Sequence, residues 1–540
     1  MAYNAAMIFT LSLVLACSEP AGPLGPAKHI TDTGERGLAD TAVADTGQNP
    51  EPTDTGDTGA PCEDCPQSTA VAAYALGPDV LTPDVSRTVA NPLKGFMTSY
   101  LWGAPVSDFP DQMEFLYLPM SELWGAEGEL LESGLEPYLV AAESRGHHAV
   151  LRVFVDYPSR PTGLPAYLAG SVSCSTYSDH GGGCSPDYDH PDLVAAMLGL
   201  IEALGSRYDG DPRLGFVQVG LLGFWGEWHT WPHTDWFPSE ETQRAVLDAY
   251  ETAFEVTQLQ IRRAAVHSVD LRMGFHDDSF AYSTLGDVGW FFLPGLESAG
   301  AAERWQSVAI GGELRPEIQG QVFSDDYELG TYAQDVMTCI EETHASYLLN
   351  YHAFNGSGTG YLGPDRDRAQ LAALAMGYQF ELVQADLEVS GLQAGTVQAT
   401  VSLELAQRGV APFYYPLFAT LQSDALEVVH HSTDDLRTLL PGDQRTVSFD
   451  LGRVPVSALQ APLRVGLHSD ILQPAQTIAL ATRTPWTEEG GPLMLEWGVV
   501  CDTDAGTIPL GAVAGTTDAG CDCVCDVDGT LRSCGGAPCG

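Results

Sequence analysis

The most constraining feature of this sequence is the alternation of short apolar segments with amphipathic segments between residues 88 and 380. Alternating strand and helix patterns over a length of roughly three hundred residues are typical of a parallel α/β sheet. Near eight strands are predicted if Tyr378–Leu382 is counted as the last, which favours a (β/α)8 barrel over a doubly wound sheet. The other predicted strands are Gly95–Leu101, Phe115–Met120, His148–Val155, Gly215–Phe224, Leu271–His276, Val308–Gly312 and Ser346–Tyr351.

Helices are predicted between many of these strands. Pro191–Tyr208 carries apolar residues at helical spacing, and Ser239–Ala264 begins with Ser-Glu-Glu-Thr, a good signal for a helix start. Two further helices are predicted over Asp325–Glu342 and Asp365–Met376.

From residue 381 to 485 the pattern changes to an alternation of period two, as in Val397–Leu405. Leu417–Gln422, Arg445–Leu451 and Leu463–His468 look similar, with turns between them. Several short strands at this spacing predict an antiparallel β-sandwich after the barrel. Two roles are left open for this sandwich. It is either a structural domain packed on the barrel or a glycan-binding module.

The N-terminal region reads as an export signal followed by a tether. Residues 1–17 contain a short apolar run that ends in Val14-Leu15-Ala16-Cys17, which resembles the lipobox of bacterial lipoproteins. Cys17 is therefore predicted to be lipidated, and a plain signal peptide is the alternative. Residues 18–70 are rich in Asp, Thr, Gly and Pro and predict a disordered linker. Together these features predict a lipid-anchored protein of the bacterial cell envelope, at the outer membrane or cell surface.

The cysteines support export, because ten of the 12 fall into even local groups outside Cys17 and Cys339. Such groups in an exported chain predict disulfides, whereas Cys339 is expected to lie buried in a helix. A metal site is the alternative for the Cys-rich tail, residues 486–540, although its CxCxC pattern differs from zinc knuckles. The disulfide candidates are Cys62, Cys65, Cys174, Cys184, Cys501, Cys521, Cys523, Cys525, Cys534 and Cys539.

The net charge of −48 arises from a shortage of Lys and Arg. This charge limits the classes of partner that the protein can bind. A surface this negative repels phosphate backbones, so nucleic-acid binding is excluded as a function class. No internal stretch reaches eighteen uninterrupted apolar residues, so membrane contact is expected through the lipid anchor only. Neither a cofactor nor a resident metal is predicted, and the oligomeric state is left open.

The strongest chemical signal is the segment Gly220–Trp231, in which a buried strand runs into Glu227 among three tryptophans. Chemistry in such barrels sits just past the carboxyl ends of the strands. Aromatic rings offer platforms for sugar rings, and a carboxyl group desolvated among them gains a raised pKa that suits a general acid. The alternative is that Glu227 pairs with an Arg or His for structure. The tryptophans are Trp225, Trp228 and Trp231.

Other predicted strand ends supply further polar groups. Glycoside hydrolysis requires two carboxyl groups, so Glu227 and Glu313 form the first candidate pair, with Asp277 or Asp278 as the substitute partner. A metal-dependent hydrolase is the alternative if His229, His276 and Asp277 converge. The remaining candidates for contact with sugar are Trp225, Trp228, Trp231, His229, Arg152, Asp156, His276, Asp278 and Asn350.

Four short motifs together resemble an uncharacterised bacterial family. Asn91-Pro92-Leu93-Lys94-Gly95-Phe96 resembles its NP-x-[RK]-GF opening, and the WGEWH stretch, Gly311-Gly312-Glu313 and Gly409-Val410-Ala411-Pro412 resemble its later motifs. The family is that of domain of unknown function 4832, commonly preceded by domain of unknown function 4874. The resemblance covers roughly residues 88–480. It implies an exported, glycosidase-like TIM barrel followed by a β-sandwich. It implies no particular reaction, because none is established for the family.

The resemblance also places the candidate carboxylates. Glu227 takes the place of the acid/base after strand four of many retaining barrel glycosidases, although Gly226 stands where Asn is usual. Their nucleophile ends strand seven, but the seventh predicted strand, which ends in Leu348–His352, offers no carboxylate. Either Glu313 from the predicted sixth strand is the second carboxylate, or the barrel binds glycan without cleaving it.

The sequence thus predicts a glycoside hydrolase acting on an extracellular polysaccharide. Glu227 would be the general acid, and Glu313 the base or nucleophile. The alternative is a non-catalytic glycan-binding or envelope-adhesion lipoprotein that uses the same cleft.

Overall fold

The computed structural model describes residues 72–532 apart from 106–107, 265–266, 328–331, 333, 356–359, 394–395, 427, 475, 498–499, 504–505, 510–512, 517–521 and 526–530. The predicted signal peptide, Cys17 and the linker lie outside these residues. So do Cys62, Cys65, Cys521, Cys534, Cys539 and the side chains of Cys501 and Cys523.

Eight parallel strands follow one another around a barrel in chain order. The first strand pairs with the eighth, and a parallel bridge between Thr98 and Glu114 joins it to the second. The predicted (β/α)8 barrel is therefore confirmed. Its strands are Gly95–Met97, Met113–Pro119, His148–Asp156, Leu214–Phe224, Gln258–Ile261, Met273–Phe280, Ile310–Leu314 and Tyr347–Leu349.

Two elements of the barrel differ from the sequence prediction. The helix predicted over Ser239–Ala264 ends at Ala253, because the Asp209 carboxylate accepts the next backbone N–H groups, among them that of Thr257 at 2.8 Å. The chain then forms the fifth strand, Gln258–Ile261. The predicted strand Tyr378–Leu382 is not part of the barrel, since its residues open the sandwich. Met273–Phe280 is therefore the sixth strand and Ile310–Leu314 the seventh.

The α-helices lie mainly between the barrel strands. Pro191–Tyr208 has the predicted bounds, with Pro at its first position where an N–H is not needed. The helix expected from Asp325 begins only at Val336, where the Asp335 side chain accepts the Thr338 N–H at 2.8 Å. None of the described helices combines the length and apolar composition that a bilayer crossing requires. The α-helices are Met120–Leu123, Glu136–Arg145, Pro191–Tyr208, Glu240–Ala253, Phe292–Ser298, Val336–Thr343, Pro364–Ala375 and Val456–Leu459. The 3-10 helices are Val85–Thr88, Tyr100–Trp102, Glu132–Gly134, Ala166–Leu168, Asp179–Gly181, Thr234–Trp236, Ala302–Gln306, Tyr351–Phe354 and Leu436–Thr438.

Two antiparallel four-stranded sheets form the sandwich after the barrel. Along Thr396–Gln407 buried and partly exposed residues alternate, as the period-two pattern predicts, and the buried ones share one core with the facing sheet. The first sheet takes in a strand that precedes the barrel in the chain. In order, its strands are Ala72–Leu76, Phe380–Gln393, Thr396–Gln407 and Gln444–Pro455, and those of the second are His430–His431, Phe418–Gln422, Leu463–His468 and Leu493–Leu495.

Smaller antiparallel pairings complete the described structure. Cys174–Tyr177 pairs with Gly183–Pro186 in a hairpin after the third barrel strand, and Thr82–Pro83 pairs with Thr482–Arg483. In the Cys-rich tail, strands Val500–Thr503 and Gly506–Pro509 pair, and Val513–Thr516, Asp522–Cys525 and Leu531–Arg532 form a three-stranded sheet.

The Asn91–Phe96 motif lies where barrel and sandwich meet, away from the mouth of the barrel. The Asn91 side chain donates to the Ala479 carbonyl at 3.0 Å and accepts from its N–H at 2.8 Å. Lys94 donates to the carbonyls of Leu374 and Tyr378 at 2.9 and 3.1 Å, and its burial lowers the pKa of Lys94 to about 7. This motif therefore serves the fold.

Candidate active site at the barrel mouth

The fourth barrel strand ends in a tightly wound segment, Gly220–Trp231. Leu221, Trp225 and Trp228 adopt left-handed backbone angles, with φ of 69°, 55° and 56°. Each such residue costs on the order of 1–3 kcal/mol, and such strain concentrates at functional sites. Backbone hydrogen bonds hold the segment, including Trp228 N–H to the Leu222 carbonyl at 3.0 Å. The segment therefore holds Glu227 at a fixed position past the end of the fourth strand.

Three cationic or polar side chains surround the Glu227 carboxyl group, which is 13% exposed. Arg262 donates to its Oε2, and His229 Nε2 lies 3.4 Å from the same oxygen. Arg152 donates to Oε1 at 3.3 Å. Burial by itself would raise the pKa of Glu227, but the Arg262 charge, the His229 hydrogen bond and Arg152 outweigh it and lower the pKa. The raised pKa expected from the tryptophans is therefore wrong, because the sequence did not reveal Arg262.

Arg152 ties the third strand to the sixth inside the barrel. Its Nη2 donates to both carboxylate oxygens of Asp278 at 2.9 Å, and its Nε donates to Gln218 at 2.7 Å. Burial would raise the pKa of Asp278, but Arg152 and His276 hold it well below its usual range. Burial also lowers the pKa of His276. Asp278 is thus a buried carboxylate whose ionised form Arg152 stabilises.

Glu313 lies on the seventh barrel strand and is partly exposed. Among the residues that the structure describes, none forms a hydrogen bond or ion pair with its carboxyl group. Burial, followed by the negative charges of Asp278 and Glu227, raises the pKa of Glu313 well above its usual value. The pKa of Glu313 therefore lies above that of Glu227, and the two carboxyl groups are near enough for one charge to affect the other.

Asp277 does not join this cluster. Its carboxylate accepts from the Thr284 hydroxyl at 2.7 Å and from the Ser279 N–H at 2.9 Å, whereas its neighbours His276 and Asp278 contact Arg152. Adjacent residues of a strand point to opposite faces, which accounts for the separation. Burial raises the pKa of Asp277 to about 6.

The metal-site alternative required His229, His276 and Asp277 to converge. His229 contacts Glu227, His276 contacts Asp278 at 3.0 Å, and Asp277 contacts Thr284 and Ser279. Within the described residues, no group of three His, Cys, Asp or Glu side chains is placed to hold a metal ion.

Asp156 ends the third strand beside the predicted disulfide loop. The Cys174–Cys184 disulfide is present, and the Tyr177 hydroxyl of its hairpin donates to Asp156 at 2.7 Å. Burial raises the pKa of Asp156 to about 6. Cys525 of the tail is also disulfide-bonded, and Cys339 is a free, buried helix residue, as predicted.

The predicted sugar contacts differ in how accessible they are. Trp231 is 63% exposed, and Trp225 packs edge-on to His180 with ring centroids 5.0 Å apart. Trp228 donates its indole N–H to the Val219 carbonyl at 2.8 Å. Asn350 is buried and accepts from the Ala353 N–H at 3.4 Å. Trp231 is thus available as a platform, while Trp228 and Asn350 stabilise the mouth from within.

Sequence reasoning missed four side chains at the mouth. Burial raises the pKa of Tyr157 and Tyr351, and the charge of Glu313 adds to the rise in both, so both lie near that carboxyl group. Trp102 is 40% exposed and packs edge-on to Tyr351, with ring centroids 6.3 Å apart. The fourth missed side chain is Arg262. The position of these four residues in the sequence could have indicated them, since each follows a barrel strand.

Comparison with known proteins gives similarity of fold only. No protein-family model and no curated protein matches the sequence. The chain is similar to endo-glycoceramidase II from Rhodococcus sp. in complex with a five-membered iminocyclitol (13% identity, TM-score 0.36, covering 68% of this chain and 97% of that chain). It is also similar to a GH5_18 variant from Bifidobacterium longum subsp. longum in complex with Manβ1-4GlcNAc (13% identity, TM-score 0.28, covering 49% and 69%). With values this low, only the side chains at the barrel mouth indicate the chemistry.

Proposed function

We propose that the chain is a glycoside hydrolase of extracellular polysaccharide and that Glu227 and Glu313 are its reacting pair. The observation that carries the proposal is that two interacting carboxyl groups, one after the fourth strand and one on the seventh, have pKa values shifted in opposite directions. Glycoside hydrolysis uses one protonated and one ionised carboxyl group on the two sides of the scissile bond. Environments that push two such pKa values apart assign the acid and the base.

The protonation pattern gives Glu313 the role of general acid. Its proton passes to the glycosidic oxygen as the bond from that oxygen to the anomeric carbon breaks. The Glu227 carboxylate either bonds to the anomeric carbon or takes a proton from the attacking water. A carboxylate that accepts hydrogen bonds from Arg262 and Arg152 is a poor proton donor, because both contacts stabilise the anion.

This assignment reverses the roles predicted from the sequence. The positions themselves correspond to those implied by the resemblance, since Glu313 belongs to the seventh strand once Gln258–Ile261 is counted. In the retaining glycosidases to which that resemblance refers, the carboxylate of strand seven is the nucleophile. The two assignments make different predictions for single substitutions.

Release of reducing ends from a polysaccharide panel tests the proposal. We expect Glu227→Gln and Glu313→Gln each to lower kcat by at least about a hundredfold, the range for losing an acid or base. Glu317→Gln is the matched control, because Glu317 is exposed and its one ion pair with a described residue is to Arg315 at 2.9 Å. Full activity in either active-site variant would refute the pair.

Aryl glycosides with an acidic leaving group separate the two roles. Such a leaving group needs little protonation, so Glu313→Gln should keep most of its activity on it. Glu227→Ala should lose activity, with azide restoring turnover if Glu227 is a nucleophile or base. The opposite pattern would restore the assignment predicted from the sequence.

One observation favours the non-catalytic alternative. The Arg262 and Arg152 contacts occupy both oxygens of Glu227, as in a structural ion pair. A glycan-binding protein would bind a glycan equally in the wild type and in Glu227→Gln without releasing reducing ends. That result would replace the hydrolase by a binding function.

We also propose export and anchoring at the cell envelope through Cys17. The lipobox-like sequence and the Cys174–Cys184 disulfide support this, because disulfides persist in oxidising compartments. Cys17→Ser should move the protein from the membrane pellet to the soluble fraction and abolish metabolic labelling with palmitate. Labelling that persists in the variant would exclude Cys17 as the lipidated residue.

A further inference from the structure

A cavity of about 520 Å³ lies beside the proposed reacting pair, between the loops that follow the fifth and sixth strands. Arg262 lines it and also donates to Glu227, so one side chain borders both the cavity and a carboxyl group proposed to react. Arg263, Asp277 and Trp290 are further lining residues. This shared side chain makes the cavity a candidate site for another sugar unit of the same polysaccharide.

Arg263 brings a positive charge on which the Asp277 and Glu227 carboxylates act without direct contact. Its side chain is exposed and has no hydrogen bond or ion pair to another described residue. The nearby Asp277 carboxylate is 5% exposed and already accepts from Thr284 and the Ser279 N–H. The cavity thus offers a guanidinium that can pair with an anionic ligand.

Trp290 supplies the second recognition element. Its indole is 54% exposed and packs edge-on to Phe291, with ring centroids 4.7 Å apart. An exposed indole at a cavity edge presents a flat apolar face, on which the C–H face of a sugar ring can stack. A planar guanidinium pairs bidentately with a carboxylate and also binds sulfate-like groups.

The composition of the chain makes this placement informative. Only 24 of 540 residues are Lys or Arg, yet two consecutive arginines line one cavity next to the reacting pair. The net charge of −48 opposes an anionic ligand at long range. At about 0.15 M salt this field is screened beyond roughly 8 Å, so contacts inside the cavity decide the affinity.

We propose that this cavity is a subsite for a negatively charged sugar, with Arg263 pairing with its carboxylate or sulfate group and Trp290 stacking on its ring. The inference rests on the proposed function, because it makes acidic polysaccharides the substrate class. Arg263 is a specificity residue in this proposal and takes no part in bond cleavage.

Calorimetric binding to matched oligosaccharide pairs tests the proposal. One arm uses oligomers of galacturonate, mannuronate and glucuronate with their carboxyl-reduced forms, and the other uses carrageenan oligomers with their desulfated forms. We expect at least one charged member to bind about tenfold more tightly than its neutral counterpart. The arm that shows the preference identifies the anionic group.

The variants Arg263→Gln and Trp290→Ala complete the test. Arg263→Gln should remove most of the charged-over-neutral preference, and Trp290→Ala should weaken both members of a pair. Arg464→Gln is the charge-matched control on the sandwich, where Arg464 pairs with the exposed Asp424 at 2.7 Å, and it should leave the preference unchanged.

Equal affinity for charged and neutral members, absence of binding, or an unchanged preference in Arg263→Gln would each overturn the subsite. These outcomes concern binding alone. They are therefore distinguishable from failure of the hydrolase proposal, which is lack of reducing-end release by the wild type.

Discussion

Arg262 and Glu227 form an ion pair between neighbouring strand ends of the barrel. Glu227 follows the fourth strand and Arg262 the fifth, and the guanidinium donates directly to the carboxylate. Among the groups that lower the pKa of Glu227, the Arg262 charge contributes most. It also connects the reacting pair to the cavity lined by Arg263.

Arg262→Met should shift the pH profile of kcat/KM. An adjacent positive charge lowers a carboxyl pKa by roughly 1–3 units, so its removal raises the pKa of Glu227. If Glu227 must be ionised, activity is lost as pH falls through that pKa, and the acidic limb moves upward by at least about 1 unit. Arg262→Lys, which keeps the charge, should move it much less.

The same measurement discriminates between the two role assignments. If Glu227 were instead the general acid, its raised pKa would extend activity toward high pH and leave the acidic limb in place. An unchanged profile in Arg262→Met would show that Arg262 does not control the ionisation of Glu227.

Asp278→Asn should strongly destabilise the barrel. Asp278 and Arg152 are each 2% exposed, and the substitution leaves the Arg152 charge buried with a weakened set of partners. Removing one member of a buried ion pair typically lowers the free energy of unfolding by roughly 3–5 kcal/mol. Thermal unfolding at pH 7 measures the effect, and Asp424→Asn, in an exposed pair with Arg464, is the control. Equal unfolding temperatures for the two variants would contradict the buried pair.

The sequence predicted the barrel and its mouth better than the electrostatics of the site. The strand Leu214–Phe224 and the helix Pro191–Tyr208 were recognisable because each is long and strongly patterned. The strand Gln258–Ile261 was read as helix because a strand of four residues so soon after a helix that ends at Ala253 carries little periodicity of its own. Arg262 was missed for the same reason, since it directly follows that strand.

The eighth strand was misassigned for a related reason. Tyr378–Leu382 is apolar and follows a helix, as a barrel strand would, but its residues run into the long sandwich strand Phe380–Gln393. Counting the fifth strand moves Glu313 from the sixth to the seventh. Nothing local in the sequence could indicate which partner a short apolar strand pairs with.

Asp277→Asn should change how stability depends on pH. Burial raises the pKa of Asp277 to about 6, above the value of about 3.9 for an unfolded chain. The folded wild type therefore loses stability as pH rises from about 4 to 6, because a proton held in the folded state is released into a buried site. Asn does not titrate, so the variant does not lose this stability. Relative to the wild type, its free energy of unfolding should therefore rise by up to about 3 kcal/mol between pH 4 and pH 7.5.

Urea unfolding at both pH values measures this difference. Comparing the change between the two pH values cancels the pH-independent cost of replacing a hydrogen-bonded carboxylate by an amide. If the unfolding free energies of the wild type and the variant differ by the same amount at both pH values, Asp277 has an ordinary pKa in the folded protein.

Gly223→Ala should disrupt the segment that carries Glu227. Gly223 has φ of 79°, and an added Cβ would lie 2.5–3.0 Å from backbone atoms of His229. Gly442→Ala is the matched control, because Gly442 has φ of 88° but open space around its Cβ position. Both variants incur the left-handed backbone penalty, on the order of 1 kcal/mol, and only the first must also move His229. We expect a clear drop in unfolding temperature and at least a tenfold loss of kcat in Gly223→Ala, against a small stability change and full activity in Gly442→Ala. Equal behaviour of the two variants would show that the backbone contact between Gly223 and His229 does not position Glu227.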